Sequence, residues 1–260
     1  MKYNVIKFKS DLVLPYEFVG SAIRGVIGVA LKKIVCINKT KECKGCFAKD
    51  GCLFYDFYES FAKFRLKISL GGKVEFELFL FEEYANKAPF MISAIYNAFT
   101  ILGITKQKIK PDFKLYLNDN LIYDKEFFEY KNEVLEFIPK KGNRLVINTP
   151  IRLKQKGKFK NYLTLEDILT SINHRKLKLQ NKEIIPLNFT PEYKIKNQYF
   201  NFKNLTRYSN RQKTKMFLGG VLGMIEFECI DEKSLELISL GEIIGVAKQV
   251  TFGLGDISLL

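Results

Sequence analysis

Residues 63–81, KFRLKISLGGKVEFELFLF, alternate apolar and polar side chains on both sides of the pair Gly71-Gly72. Strict alternation of this kind is typical of β-strands that bury one face, and a glycine pair between two such runs is typical of a hairpin turn. The segment therefore predicts two antiparallel strands joined by a tight glycine turn.

The segments on either side of this hairpin complete a recognisable order of elements. Val5 to Phe8 alternates as a strand does, and FVGSAIRGVIGVALKKIVC at 18–36 carries apolar residues at helical spacing. After the hairpin, APFMISAIYNAFTILG at 88–103 predicts a buried helix that ends at its glycine, and DFKLYL at 112–117 predicts a strand. The order strand, helix, strand, strand, helix, strand is the ferredoxin-like, or RRM-like, βαββαβ arrangement.

The second half of the chain repeats this order more loosely. RLVINTPIRLK at 144–154 predicts a strand, and Thr164 with Asp167 forms a capping box for the helix TLEDILTSINHRKL. The remaining strands, helix and closing strand are predicted at QYFNFKNLTRYS (198–209), GGVLGMIEFECI (219–230), KSLELISLGEIIGV (233–246) and DISLL (256–260). We therefore predict an α+β protein with tandem ferredoxin-like domains, residues 1–135 and 140–260, and a Cys-rich insertion after the first helix.

The charge balance narrows the class of partner. Lys and Arg number 42 against 28 Asp and Glu, which gives a formal net charge of +14. Such an excess favours polyanions, with nucleic acid first and an acidic membrane second, although a solvated lysine-rich surface has the same composition. No segment approaches the ~18 consecutive apolar residues of a membrane span, and the charged N-terminal residues do not resemble a signal peptide. We expect a cytoplasmic protein.

Four cysteines lie close together in the stretch CINKTKECKGCFAKDGC at 36–52. Thiols at this spacing can surround one soft cation, and a cytoplasmic location disfavours disulfides. The sequence therefore predicts a structural metal site, Zn²⁺ or an iron–sulfur cluster, with reduced thiols as the alternative. The predicted ligands are Cys36, Cys43, Cys46 and Cys52, whereas Cys229, on an apolar strand, is predicted to be core.

Glycines and basic side chains predict where nucleic acid would bind. In GVAKQVTFGLG at 245–255, glycines permit close approach of a phosphate to backbone amides while Lys248 supplies a counter-charge, although an ordinary turn has the same composition. RYSNRQKTK at 207–215 and LKQKGKFK at 153–160 combine cations with an aromatic ring, which suits phosphate and base contacts, or else form solvated hairpin tips.

Several motifs resemble, in the same order, those of the CRISPR-associated RAMP-superfamily endoribonucleases that process precursor RNA. They are IRGVIGVALK (23–32), INTPIRLKQKGK (147–158) with LTLEDIL (163–169), RYSNRQKTKMFLGGVLG (207–223) and the glycine-rich GVAKQVTFGLG. The resemblance implies two ferredoxin-like domains and an RNA repeat held at the glycine-rich loop and its adjoining cleft. From the resemblance and the basic stretches we predict RNA contacts at Arg152, Lys154, Lys156, Arg175, Lys176, Arg207, Tyr208, Arg211, Gln212, Lys213, Lys248, Gly253 and Gly255.

The resemblance implies cleavage of CRISPR repeat RNA without a catalytic metal, leaving a 2′,3′-cyclic phosphate. The one histidine, His174, is the first candidate for proton transfer, because its ordinary pKa lies near neutrality and basic residues follow it. Many family members place a histidine near the first helix, where this chain has none, so Lys32 and Tyr16 are further candidates. The alternative is a non-catalytic RAMP protein that holds or caps guide RNA in an interference complex.

Overall fold

The computed structural model describes residues 1–38, 42–125, 127–131, 133–155, 157–209 and 214–260. Residue contacts divide the chain into two compact units, Met1–Glu136 and Phe137–Leu260. Each unit is a mixed α/β structure built on an antiparallel sheet, as the sequence predicts. Among the helices described, none has the length and apolar character that a membrane span needs.

The first unit follows the predicted order of elements up to its fourth strand and then adds short strands. The elements are β1 (Lys2–Ser10), α1 (Gly20–Val35), α2 (Leu53–Tyr58), β2 (Phe64–Ile68), β3 (Phe76–Phe81), α3 (Ala88–Asn97), β4 (Phe113–Leu117), β5 (Asn120–Asp124), β6 (Phe127–Phe128) and β7 (Leu135–Glu136). The sheet has the order β2-β3-β1-β4-β5-β6, and β7 pairs with β1.

The predicted hairpin is present, but its turn is longer than expected. β2 and β3 pair from Phe64 opposite Leu80 to Ile68 opposite Phe76, which leaves residues 69–75 as the connection. The glycine pair does not close a tight turn, because Gly71 N–H donates to the Glu17 carbonyl (3.0 Å) and the Gly72 carbonyl accepts from Leu14 N–H (2.9 Å). The glycines instead let this connection approach the segment before α1.

The second unit has the same order of principal elements and the same strand order. The elements are β8 (Arg144–Ile151), β9 (Lys154–Gln155), β10 (Lys158–Phe159), α4 (Leu165–Leu179), β11 (Tyr193–Lys203), β12 (Thr206–Ser209), β13 (Thr214–Phe217), β14 (Gly220–Ile230), α5 (Glu232–Ile244) and β15 (Ile257–Leu259). The four-stranded sheet runs β11-β14-β8-β15, which matches β2-β3-β1-β4 of the first unit position by position.

Two predictions of local structure in this unit had different outcomes. The capping box is confirmed: Thr164 Oγ1 accepts from Asp167 N–H (3.2 Å), and Asp167 Oδ2 accepts from Thr164 N–H (3.0 Å). The single strand predicted over 198–209 is wrong, because β11 ends at Lys203 and a separate hairpin, β12–β13, follows it. The break occurs where Leu205 is buried and its carbonyl accepts from Leu218 N–H (2.8 Å).

Candidate nucleic-acid interface

Two arginines of the second unit lie close together, each stacked on a phenylalanine ring. Arg152 follows β8, and its guanidinium carbon lies 4.2 Å from the centroid of the Phe159 ring on β10. Arg207 on β12 lies 4.5 Å from the centroid of the Phe252 ring, which belongs to the glycine-rich bend. Both arginines are among the predicted RNA contacts, and Phe159 is the aromatic ring of the predicted basic stretch 153–160. Phe252 was not predicted, and its only signal was an aromatic residue within the glycine-rich motif.

The two guanidinium groups are desolvated and lack a neutralising carboxylate. Arg152 is only 5% exposed, and burial lowers its pKa below the ordinary value, as does the positive charge of Arg207. Burial likewise lowers the pKa of Arg207. Among the residues that the structure describes, no Asp or Glu forms an ion pair with either group. Two like charges held together in this way favour the binding of an anion.

The hydrogen-bonding capacity of the pair is only partly used. Arg152 Nη1 donates to the Phe217 carbonyl (3.2 Å), and Arg207 Nη2 contacts the Met216 sulfur (3.2 Å). The Nε–H groups of both arginines are buried without a hydrogen-bond partner. A guanidinium group whose donors are only partly used by the chain can donate from its outer Nη–H groups to a phosphodiester.

The glycine-rich bend at 245–255 connects α5 to β15 and is fixed to β8. Gly255 N–H donates to the Pro150 carbonyl (3.1 Å), and its φ of 69° lies in the left-handed region. A Cβ at this position would overlap the Val246 carbonyl, so only glycine fits. This bond brings the bend to the end of β8, next to Arg152.

The predicted role of the bend as a source of amide donors needs correction. Gly253 N–H donates to the Val250 carbonyl (3.1 Å) and Gly255 N–H to Pro150, so neither glycine amide is available to a phosphate. Ala247 N–H is also occupied, by Ser171 Oγ (2.8 Å). The bend therefore contributes shape, the Phe252 ring and the exposed Lys248, but not these amides.

Two neighbours of His174 on α4 contact the start of the bend. Ser171, one turn before it, accepts from Ala247 N–H, and Arg175, the next residue, donates from Nε to the Ile244 carbonyl (2.6 Å). The side chain of His174 itself is half-buried. The side chain of Arg175 is buried and its Nε bonds to the end of α5, and its predicted contact with RNA stays a prediction.

The structure describes some of the remaining predicted RNA contacts, while others lie outside the described residues. Lys154 is exposed, and its Nζ lies 5.0 Å from the centroid of the Phe159 ring, while Lys176 is half-buried on α4. The backbone of Tyr208 belongs to β12. Lys156, Arg211, Gln212 and Lys213 lie outside the described residues.

The two catalytic candidates of the first unit have different surroundings. Lys32 lies in the last turn of α1, and its Nζ is 4.8 Å from the centroid of the Phe54 ring. Tyr16 is 52% exposed in the segment between β1 and α1. Neither side chain has a described contact that would orient it for proton transfer.

The four clustered cysteines are reduced, half-buried and in the same region of the first unit. As their side chains are placed, no three Cys, His, Asp or Glu residues within the described ranges are close enough to share one metal ion. Burial raises the pKa of the Cys43 thiol, the charge of Lys32 opposes this rise, and Cys52 and Cys36 add to it. Cys229, predicted to be core, is exposed on β14.

Comparisons with known proteins agree with this architecture. Residues 145–257 match the family model described as CRISPR-associated endoribonuclease Cas6, and residues 2–69 match a model described as an N-terminal domain. A search of curated proteins finds no match.

Solved structures of Cas6 proteins share the fold over the whole chain. A product complex of Thermus thermophilus Cas6 (TTHB231) superposes with a TM-score of 0.59 at 13% identity, with 100% of each chain covered. A product complex and a substrate mimic complex of Cas6 (TTHA0078) superpose with TM-scores of 0.55 and 0.52, at 14% and 15% identity and 100% coverage of each chain. At these identities the likeness establishes the fold alone. In sequence, residues 145–257, which make up most of the second unit, are similar to the Cas6 family of CRISPR-associated endoribonucleases.

Proposed function

We propose that this protein binds the repeats of CRISPR precursor RNA and cleaves them without a catalytic metal to release guide RNAs. The family match supports this proposal, as do the Cas6 structures with product and substrate mimic, which have the same fold. The observation that carries it is the pair of uncompensated guanidinium groups, Arg152 and Arg207, stacked beside the glycine-rich bend. A buried and a half-buried cation without a carboxylate are suited to a phosphodiester. We also propose that the protein acts in the cytoplasm.

The reaction we propose needs no group that the chain and the RNA do not supply. The ribose 2′-hydroxyl loses its proton and attacks the adjacent phosphorus, the P–O5′ bond breaks, and the departing O5′ takes up a proton. The products are a 2′,3′-cyclic phosphate and a free 5′-hydroxyl. Guanidinium groups such as those of Arg152 and Arg207 stabilise the extra negative charge of the pentavalent transition state.

His174 is our candidate for one of the two proton transfers. It is the only histidine in the sequence, and Ser171, one turn before it on α4, bonds to the bend whose Phe252 supports Arg207. Histidine is the side chain that most often transfers protons in enzymes. Lys32 and Tyr16 remain predictions for the same role.

A non-catalytic RAMP protein that holds or caps guide RNA is the second candidate function. It is favoured by one observation, which is that no described hydrogen bond orients the His174 ring, whereas catalytic histidines are usually held by a neighbour. Both functions use the same arginine pair, so RNA binding alone does not separate them.

The two functions are separated by incubating the protein with repeat RNA in EDTA and analysing the ends of the products. We expect cleavage with a 2′,3′-cyclic phosphate, and we expect His174→Ala to lower the cleavage rate by about 10²-fold or more while the Kd for RNA stays unchanged. Binding without cleavage by the parental protein would establish the second function. Cleavage by His174→Ala at the parental rate would remove His174 from the mechanism.

The fold itself supports a finer classification. We propose that the units are tandem ferredoxin-like domains, since both have the order strand, helix, strand, strand, helix, strand and equivalent sheet orders. In this scheme residues 36–52 are an insertion after the first helix of the first domain.

A further inference from the structure

The cysteine segment of the first unit begins where α1 ends and finishes where α2 begins. Within it, Cys46 N–H donates to the Cys43 carbonyl (3.3 Å), Lys49 N–H to the Cys46 carbonyl (3.4 Å) and Cys52 N–H to the Lys49 carbonyl (3.2 Å). Gly45 and Gly51 lie at positive φ, so the segment is a series of separate tight turns and not a regular helix. Cys43, Cys46 and Cys52 each take part in one of these turns.

Three of the four clustered cysteines line one cavity. The cavity has a volume of about 600 Å³, and Cys36, Cys46 and Cys52 line it. Cys43 lies within electrostatic range of Cys36 and Cys52, and also of the ammonium group of Lys32. Four reduced thiols with a cation beside them are the components of a soft-metal site, in which the lysine offsets the excess negative charge of the thiolates.

We propose that Cys36, Cys43, Cys46 and Cys52 bind one Zn²⁺ ion and thereby fasten the end of α1 to the start of α2. Because no three of the described ligand side chains yet share one point, binding requires the turns at 43–52 to close around the ion. The hydrogen bonds described within this segment are mostly single turns, so closure need not break a helix or a strand. The proposal does not depend on RNA cleavage.

The composition of the cavity favours zinc over a hard cation. Asp50, Asp56 and Glu83 also line it, but Asp56 already accepts a hydrogen bond from the Tyr84 hydroxyl (2.9 Å). Sulfur ligands select Zn²⁺ over Mg²⁺ or Ca²⁺, and four thiolates close a tetrahedral structural site without leaving a position for water. The ion would therefore stabilise the fold and take no part in catalysis.

The proposal is tested by titrating the reduced, metal-free full-length protein with Co²⁺ and recording its absorption spectrum. We expect the sulfur-to-cobalt charge-transfer band and the strong visible bands of a tetrahedral thiolate site, with an endpoint at one equivalent and loss of the signal when Zn²⁺ is added. Cys36→Ser and Cys46→Ser should each lose the one-equivalent endpoint. Cys229→Ser, which alters the one cysteine outside the cluster, should keep it.

Several results would overturn the proposal. They are the absence of a thiolate spectrum in the parental protein, a full signal in the variant with all four clustered cysteines changed to serine, and the recovery of iron and sulfide with the purified protein. Circular dichroism of each serine variant checks its fold. The displacement of Co²⁺ by Zn²⁺ in the parental protein tests the site without any substitution.

Discussion

At the scale of single residues, the arginine pair lowers the stability of the folded chain and favours the binding of phosphate. Burying Arg152 beside the like charge of Arg207 disfavours the protonated guanidinium, as the lowered pKa values of both groups indicate. Stacking on Phe159 and Phe252 offsets part of this cost. A bound phosphodiester would offset more of it, since its negative charge attracts both guanidinium groups.

Replacing Arg207 by Met should therefore affect binding and stability in opposite directions. We expect the affinity for repeat RNA to fall by about 1.5–3 kcal/mol, roughly ten- to a hundredfold in Kd, because charged hydrogen bonds to phosphate are lost. The free energy of unfolding should stay the same or rise, because the repulsion with Arg152 is removed. Fluorescence anisotropy and urea denaturation measure the two quantities.

A matched control exists on the same unit. Arg144 on β8 is partly exposed and lies 3.7 Å from Glu226, so Arg144→Met removes the same charge away from the pair. It should leave the affinity for RNA nearly unchanged. If Arg207→Met instead destabilised the fold and left RNA binding intact, Arg207 would be a packing residue.

At the scale of elements, Asp231 ties the start of α5 to the start of β11. Its Oδ1 accepts from Ser234 N–H (2.9 Å) in the first turn of α5, and its Oδ2 accepts from Glu192 N–H (3.0 Å) just before the strand. Burial pushes the pKa of the carboxyl group upward, but these hydrogen bonds outweigh it and hold the pKa below the ordinary value.

Asp231→Ala should consequently cost stability in a pH-dependent way. At neutral pH we expect a loss of about 0.5–2 kcal/mol in the free energy of unfolding, as for other N-cap residues. A carboxyl group with a lowered folded-state pKa stabilises above its unfolded-state pKa, and this contribution is lost as the pH falls through the lower folded value. The difference in the free energy of unfolding between the parental protein and the variant should therefore become smaller below about pH 3.9.

Urea denaturation of both proteins at a series of pH values checks this expectation. Asp112, whose side chain is 90% exposed, provides the control, and Asp112→Ala should cost little at any pH. If the difference in the free energy of unfolding between the parental protein and Asp231→Ala stayed constant down to acid pH, the carboxylate charge would not contribute to the cap.

Features that depend on neighbouring residues could be predicted from the sequence, whereas features that depend on distant residues could not. The strands flanking Gly71-Gly72 and the Thr164 capping box depend on neighbouring residues, so periodicity and spacing were enough to predict them. The length of the turn between β2 and β3 depends on Glu17, more than fifty residues earlier, and no local pattern carries that contact.

The same distinction applies to the candidate site. Motif order was enough to name Arg152 and Arg207, whereas the role of Arg175 depends on the Ile244 carbonyl, 69 residues away. The occupied amides of Gly253 and Gly255 were also beyond sequence reasoning, because a glycine-rich bend has the same composition whether its amides point inward or outward.

At the scale of the whole molecule, the net charge of +14 acts on RNA differently from the arginine pair. Charge spread over the surface attracts RNA over distances set by the salt concentration and mainly raises the association rate. Cations in direct contact with phosphate release condensed counterions, and each such contact adds about 0.7 to the magnitude of the slope of log K against log salt for a single strand.

The slope of log K against log salt therefore distinguishes direct contacts with phosphate from long-range attraction of RNA by the net charge. Replacing Arg152 and Arg207 together by Met should make the slope shallower by about 1.4 if both touch phosphate. The control replaces Lys2 and Lys125 of the first unit, which are exposed and form ion pairs with Glu136 and Asp112. This double replacement removes the same net charge, and it should lower the association rate with little change in the slope. Stopped-flow association and equilibrium titrations over a range of salt concentrations measure both quantities. An equal change of slope in the two double variants would mean that the arginine pair attracts RNA only as part of the overall charge, and the phosphate contact would then have to be assigned elsewhere.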